Sequence, residues 1–180
     1  MKSKENKKKE DLRVVKTKEI IRNTFKSMIL EMDYDYITIK ELTERAKINR
    51  KTFYLHYDSL DDLLLEIQDG YANIFMEKQI SYTNLEDMKY LIGLFFDSAN
   101  NEPLNEKILC SGSYRNISDR IIKKVMDYRK KTNRGAFSDN EAYENIIFAY
   151  YGANSAIIYR QWVADGKKLS LEEVKELAVR

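Results

Sequence analysis

Residues 38–64 read TIKELTERAKINRKTFYLHYDSLDDLL. Thr38 followed by Glu41 is a capping box, in which the hydroxyl and the carboxylate satisfy backbone donors at a helix start. Ile37 and Leu42 stand where a hydrophobic staple sits, and Ile39, Leu42 and Ala46 mark a helix of about two turns that stops at Lys47-Ile48. Asn49 is a favoured N-cap, and Phe53 with Tyr57 makes an i, i+4 apolar pair, so a second short helix is expected over 50–56. Two short helices separated by a tight turn make a helix-turn-helix. Ser59 and Asp62 form a further cap, and Asp61 adds the negative charge that a helix N-terminus favours. A longer helix then runs through Leu63, Leu64 and Ile67 towards Ile80 and links two domains.

On the N-terminal side, Ile21, Phe25, Met28 and Met32 follow the rhythm of one helical face, which predicts an amphipathic helix over 14–32 and a short polar break over 33–36. Ahead of it, KSKENKKKEDLRVVK reads as a solvated, disordered basic arm over 1–13, one that can also slide along phosphates. On the C-terminal side, helices are expected at 85–99, 105–110, 114–131, 139–163 and 170–179. The breaks between them, 81–84, 100–103, 111–113, 132–138 and 165–168, hold Gly, Asn, Ser and Pro. With one Pro and six Gly in 180 residues, there are too few punctuators for a many-turned β-protein. The expectation is an all-α chain: the arm, a helix-turn-helix DNA-binding domain over 14–58, and a helical ligand-binding and dimerisation domain over 59–180.

Charge divides the same way. Residues 1–57 carry 15 Lys/Arg against 9 Asp/Glu, and residues 58–180 carry 16 against 20, so a net +2 hides a basic front and an acidic rear. Polyanion binding is expected at the front. Cys110, the single cysteine, has no partner for an internal disulfide, and no charged-apolar-small cleavage pattern opens the chain, which points to a reducing cytoplasm. The longest apolar run, IIFAYYGANSAIIY, is interrupted by Asn154 and Ser155 and is short of the ~20 residues that span a bilayer. It reads as a buried helix, and no membrane partner is expected.

The second helix of a helix-turn-helix enters the major groove and presents its first residues to base edges, while capping and flanking groups hold phosphates. Here the groove residues are Arg50, Lys51 and Thr52, with Asn49 at the cap. With Phe53 and Tyr57 turned inward, the opposite face carries Arg50, Lys51 and Tyr54. An ordinary surface helix is charged as well, so that face alone does not decide the matter.

The order of residues does more. The segment resembles the DNA-binding part of the TetR family of bacterial regulators, in which a short helix, a turn and a T-[LF]-Y-x-H-[FY] recognition helix precede a long linking helix. Thr38, Ile39, Leu42, Ala46, Ile48, Thr52-Phe53-Tyr54, His56 and Tyr57 align with that pattern without a gap. The resemblance covers residues 14–70 closely, and the remainder agrees in helix length and order. It implies that Tyr54, His56 and Thr38 touch the DNA backbone and that Arg50 and Lys51, with Thr52, read bases. Two positions depart from the pattern. Lys47 stands where the family usually has glycine, which asks a non-glycine residue to adopt φ > 0. Leu60 replaces a lysine that supplies a phosphate contact.

Other chemistry is sparse. His56 is the one histidine and, with no second His or thiol near it in sequence, makes a poor metal ligand. There is no Gly-rich phosphate loop and no Ser-His-Asp candidate, so no catalytic residue, metal or cofactor is expected. Cys110 is most simply a small core residue. Nine of the thirteen tyrosines lie in the rear domain, where most are expected to pack helices. Tyr90, Tyr114, Tyr151 and Trp162 are the candidates for lining an effector pocket. On the helix over 139–163, Ile147, Tyr151, Ile158 and Trp162 fall within about 60° of one another, while Ala149, Ala153 and Ala156 cluster opposite. The small face is the expected homodimer interface, which would set two recognition helices on a palindromic operator in double-stranded DNA. The reading is a sequence-specific transcriptional regulator, a repressor by the family's habit, controlled by a small-molecule effector. The alternative is a co-regulator or activator gated by a protein partner.

Overall fold

The computed structural model describes residues 2–77, 85–132 and 138–179. Among these, every regular element is a helix: α1 (Lys2–Glu31), α2 (Ile39–Arg45), α3 (Arg50–Tyr54), α4 (Leu60–Glu77), α5 (Leu85–Asn101), α6 (Pro103–Cys110), α7 (Arg115–Thr132), α8 (Glu141–Ala164) and α9 (Leu171–Ala178). Single 3₁₀ turns stand at Tyr34–Tyr36 and Gly112–Tyr114. The expected break at 81–84 and most of the one at 132–138 lie outside the described residues. The chain divides into two compact units, Met1–Ile67 and Gln68–Arg180.

In the first unit, α1 buries Ile21, Phe25, Met28 and Ile29 along one face, the spacing that puts side chains over one another on a helix. The helix begins at Lys2 and not at the expected Val14, so residues 2–13 are helical where a disordered arm was expected. Lys and Glu are good helix formers, and residues 2–31 contain neither Gly nor Pro. Leu12, Val14 and Val15 of α1 are exposed.

The two short helices begin where their caps were read. Thr38 Oγ1 accepts from the Glu41 amide at 3.1 Å, and Asn49 Oδ1 accepts from the Lys51 amide at 2.8 Å. Helix α3 ends at Tyr54, two residues earlier than expected, with Leu55 as its C-cap. Leu42, Phe53 and Tyr57 are buried, while Ile39 and Ile48 are only partly so. Between α2 and α3, Lys47 takes φ 54°, the left-handed conformation that its place in the turn requires. Ser59 Oγ accepts from the Asp62 amide at 3.1 Å and starts α4. The units part at Ile67, inside α4, and the fully buried Leu63 and Leu64 fall in the first.

In the second unit α8 packs against α5, α6, α7 and α9. Its Tyr159 sits edge-on to Phe95, Phe96 and Trp162, with ring centroids 6.1, 5.3 and 5.5 Å apart, and its hydroxyl donates to Glu106 at 2.5 Å. Trp162 Nε1 donates to the Leu169 carbonyl at 2.8 Å. The turn out of α8 places Gly166 and Lys167 at φ 75° and 53°, and Lys167 Nζ lies 5.2 Å from the Trp162 ring centroid. Ser170 and Glu173 then form a complete capping box on α9.

The two faces of α8 differ from the expected ones. Glu144, Phe148, Ser155, Ala156, Tyr159 and Trp162 are its buried residues, whereas Ile147, Tyr151 and Ile158 are half-buried. Ala149 and Ala153 are exposed, flanked by Ile146 at 68%, Tyr150 at 54% and Ile157 at 58% exposure. Ala156 is not on that outer face: it is buried in the core with Tyr159 and Trp162. Three residues along a helix leave a side chain about 60° round the axis, so Ala156 turns towards Tyr159.

The strain at Lys47 is testable. Glycine populates φ > 0 without penalty, so Lys47→Gly should raise the stability of the protein by about 1 kcal/mol in denaturant unfolding. Lys47→Val, branched at Cβ, should lower it. An unchanged or lower midpoint for the glycine variant would show that the turn stores no strain.

Candidate functional site

Helix α3 is only five residues long, and its two faces are sharply divided. Phe53 is fully buried, and the Tyr57 ring beyond the helix end lies 5.7 Å from it. Arg50, Lys51 and Tyr54 are exposed on the other side, and Thr52 is half-buried. The Tyr54 ring is half exposed and rests edge-on against Phe53 at 5.6 Å, which fixes it without burying it. His56 is half-buried, with its amide donating to the Phe53 carbonyl at 2.9 Å. Thr38 and Asn49 are exposed at the starts of α2 and α3, each using its side-chain oxygen as a cap.

Charge on this surface is distributed unevenly. Arg45 is held by Glu31 and Glu41, and this pairing keeps its charge occupied within the fold. Arg50 and Lys51 have no ion-pair partner among the described residues and stay exposed, with Lys40 and Lys47 exposed nearby in sequence. Free cations beside a capped helix start are what a phosphate-bearing groove requires.

Behind α3, Glu66 on α4 gathers three groups. Its carboxylate accepts from Lys18 Nζ at 2.9 Å, Arg22 Nη1 at 2.8 Å and Tyr57 Oη at 3.1 Å. Lys18 Nζ also lies 5.1 Å from the Tyr57 ring centroid. Partial burial by itself would raise the Glu66 pKa, but the hydrogen bonds from Lys18, Arg22 and Tyr57 outweigh it and hold the carboxyl below its usual range. The Tyr57 hydroxyl is pushed well up by burial and by this carboxylate, so it stays a donor. These contacts tie α1, the end of the α3 segment and the start of α4 into one body.

The second unit contains a cavity of about 160 Å³ lined by side chains from α4 to α8, among them Phe95, Ile122, Phe148 and Tyr151. Of the four aromatic candidates, Tyr151 lines it. Tyr90 is exposed, Tyr114 is fully buried away from the lining, and Trp162 packs in the core around Tyr159. Their positions follow from helix rotation, which residue type does not reveal. Gln68 on α4 does line the cavity and was not singled out in the sequence, because a lone Gln at helical spacing carries no signal of burial. Burial, and then Glu106, push the Cys110 thiol up to about 11, so it is not a reactive thiolate. No group of three or more His, Cys, Asp or Glu able to hold a metal occurs among the described residues, and none of the described helices is long and apolar enough to cross a membrane.

No protein-family model matches the chain. It is 31% identical over 106 residues to the HTH-type transcriptional regulator YxbF of Bacillus subtilis, a match that covers 56% of this chain and 28% of that relative's length. It is 24% identical over 163 residues to the dhaKLM operon transcriptional activator DhaS of Lactococcus lactis, covering 85% of this chain and 82% of the relative. Among solved structures, a TetR transcriptional regulator from Streptococcus agalactiae superposes with a TM-score of 0.67 at 19% identity, covering 94% of this chain and 95% of that one. The chain therefore has the all-α fold of TetR regulators with its N-terminal helix-turn-helix.

The Glu66 cluster has a pH signature. A carboxyl whose folded pKa lies below its unfolded value near 4.5 binds fewer protons when folded, so its contribution is complete above that value and is lost as pH falls through the folded one. Stability of the wild type should decline below about pH 4.5 more steeply than that of Glu66→Gln in denaturant titrations taken at successive pH values. Parallel curves for the two proteins would remove Glu66 as the acid-sensitive tie.

Proposed function

We propose that this chain is a sequence-specific DNA-binding transcriptional regulator of the TetR type, and not an enzyme. It acts in the cytoplasm as a homodimer on a palindromic operator. One observation carries the reading: a capped helix buries Phe53 and leaves Arg50, Lys51 and Tyr54 exposed on its outer side, with no intramolecular ion pair for either cation among the described residues. Arg50 and Lys51, with Thr52, are the base readers. Tyr54, His56, Asn49 and Thr38 hold phosphates, and the free cations of α2 and its turn supply salt-dependent attraction. The relatives named as transcriptional regulators support the same class.

The dimer is built on the outer face of α8. Ile146, Ala149, Tyr150, Ala153 and Ile157 form a continuous exposed apolar stripe, and Leu177 of α9 is exposed as well. A monomer would leave that stripe in water, whereas a two-fold partner buries it, and the alanines let a second helix come close. A second recognition helix about one DNA turn or more away gives the affinity that one short helix lacks. In this reading the second unit holds an effector that changes operator affinity, and occupancy of the operator represses. A second reading is a DNA-binding activator gated by a protein partner, and its activating half is favoured by one observation: DhaS, which aligns with most of the chain, is named an activator.

Selection from random duplex DNA should enrich a palindromic site, and binding to it should weaken steeply with salt through counterion release. Arg50→Ala should cost roughly 1–3 kcal/mol and relax specificity at one base position, whereas Tyr54→Phe should weaken all sequences alike. Recovery of no enriched sequence would overturn the assignment. Ala153→Glu should convert a dimer into a monomer in sedimentation and sharply reduce operator binding; a wild type that sediments as a monomer at micromolar concentration would remove the dimer.

A further inference from the structure

The lining of the cavity in the second unit restricts what can occupy it. None of its 18 residues is Asp, Glu, Lys, Arg or His, and most are aliphatic or aromatic. An ion buried there without a partner would cost several kcal/mol, so a carboxylate, phosphate or ammonium ligand has nothing to pair with. The volume of about 160 Å³ is close to that of a cavity of ~150 Å³ that accepts benzene. The lining thus suits one ring or a short chain, not a nucleotide or a coenzyme.

Several of the lining polar groups are already engaged. Ser118 Oγ donates to the Arg115 carbonyl at 3.0 Å and accepts from Arg160 Nη2 at 2.7 Å. Ser155 Oγ donates to the Tyr151 carbonyl at 2.7 Å, and Asn105 Nδ2 donates to Ser98 Oγ at 3.4 Å. Gln68 is different. It is 1% exposed, and both Oε1 and Nε2 are buried with no hydrogen-bond partner. An unsatisfied buried amide costs about 1–3 kcal/mol, and folded proteins rarely leave one without a reason. Its carbonyl oxygen accepts and its NH₂ donates, so its complement is a group that does both. A hydroxyl or a carboxamide fits.

We propose that the cavity binds a small, neutral, largely apolar molecule bearing one hydroxyl or amide group, and that Gln68 is the residue that reads that group. The inference rests on the reading of this unit as an effector domain and adds the chemical class of the effector. Gln68 stands two residues after Glu66 on α4, so the residue that meets the ligand shares a helix with the one that accepts from Lys18, Arg22 and Tyr57.

Three probes of one size separate the possibilities on the full-length protein at pH 7: phenol, toluene and benzoate. Phenol should raise the melting temperature saturably and bind in calorimetry about tenfold more tightly than toluene, the factor expected of one hydrogen bond to an otherwise unpaired amide. Benzoate should not bind. Gln68→Leu should abolish the preference for phenol while keeping toluene, and Gln68→Met serves the same purpose if the leucine variant does not fold. Toluene binding the wild type as tightly as phenol, benzoate binding comparably, a Gln68 variant that keeps the preference, or no binding by any probe would each overturn the proposal. An ordered water satisfying Gln68 permanently would show itself as the first of these. Melting and calorimetry need no DNA, so failure here leaves operator selection untouched, and failure of operator selection leaves probe binding untouched.

Discussion

A helix of five residues does not hold in water by its own hydrogen bonds, since nucleation consumes more conformational entropy than one turn returns. Helix α3 exists because Phe53 and Tyr57 are buried behind it and because the Asn49 side chain completes its first turn. Everything on its outer face depends on that burial. Arg50, Lys51 and Tyr54 point outward only while Phe53 points inward, and Glu66 fixes the arrangement from behind by accepting from Tyr57 and from two cations of α1. The surface of this unit is thus a consequence of its interior.

Helix α8 meets three demands at once. One side enters the core through Ala156, Tyr159 and Trp162, another lines the cavity through Phe148, Tyr151, Gly152 and Ser155, and a third carries the exposed stripe around Ala153. At Gly152 an added Cβ would lie 2.5 Å from Met126 Sδ on α7, so the methionine side chain would have to move aside. A helix apolar on nearly all sides is expected only where each side has an occupant. Core and cavity account for two of them, and the stripe is the side that the proposed homodimer would cover.

Charge and polarity are arranged with comparable economy. Acidic groups near the front are engaged in holding the fold, as Glu31 and Glu41 hold Arg45, while the cations of α3 stay outside such pairs. In the second unit the ionised side chains pair away from the cavity, as in Lys175 with Asp97 and Lys167 with Glu106, and the cavity itself keeps one unsatisfied amide. Desolvation explains the separation: an ion is costly in an apolar lining, and a neutral amide is the strongest polar signal such a lining can hold at moderate cost.

How much was legible beforehand follows the range of the forces involved. Capping, helix periodicity and turn chemistry act over four or five residues, so Thr38, Asn49 and Ser59 marked their helix starts, while the positive φ at Lys47 was expected from the family resemblance, which has glycine there. Phe53 and Tyr57 set the rotation of α3, and with it the outward placement of Arg50 and Lys51, by the same local rule. What took tertiary structure was every question of rotation within the second unit. Whether Tyr114 and Trp162 sit in the core or at the cavity, whether Ala156 faces in or out, and that Gln68 is buried without a partner all depend on how α4 to α9 pack together. On α8 the residues are apolar nearly all the way round, so its sequence contains no contrast from which the rotation can be read, and only contacts with α5, α6, α7 and α9 decide it.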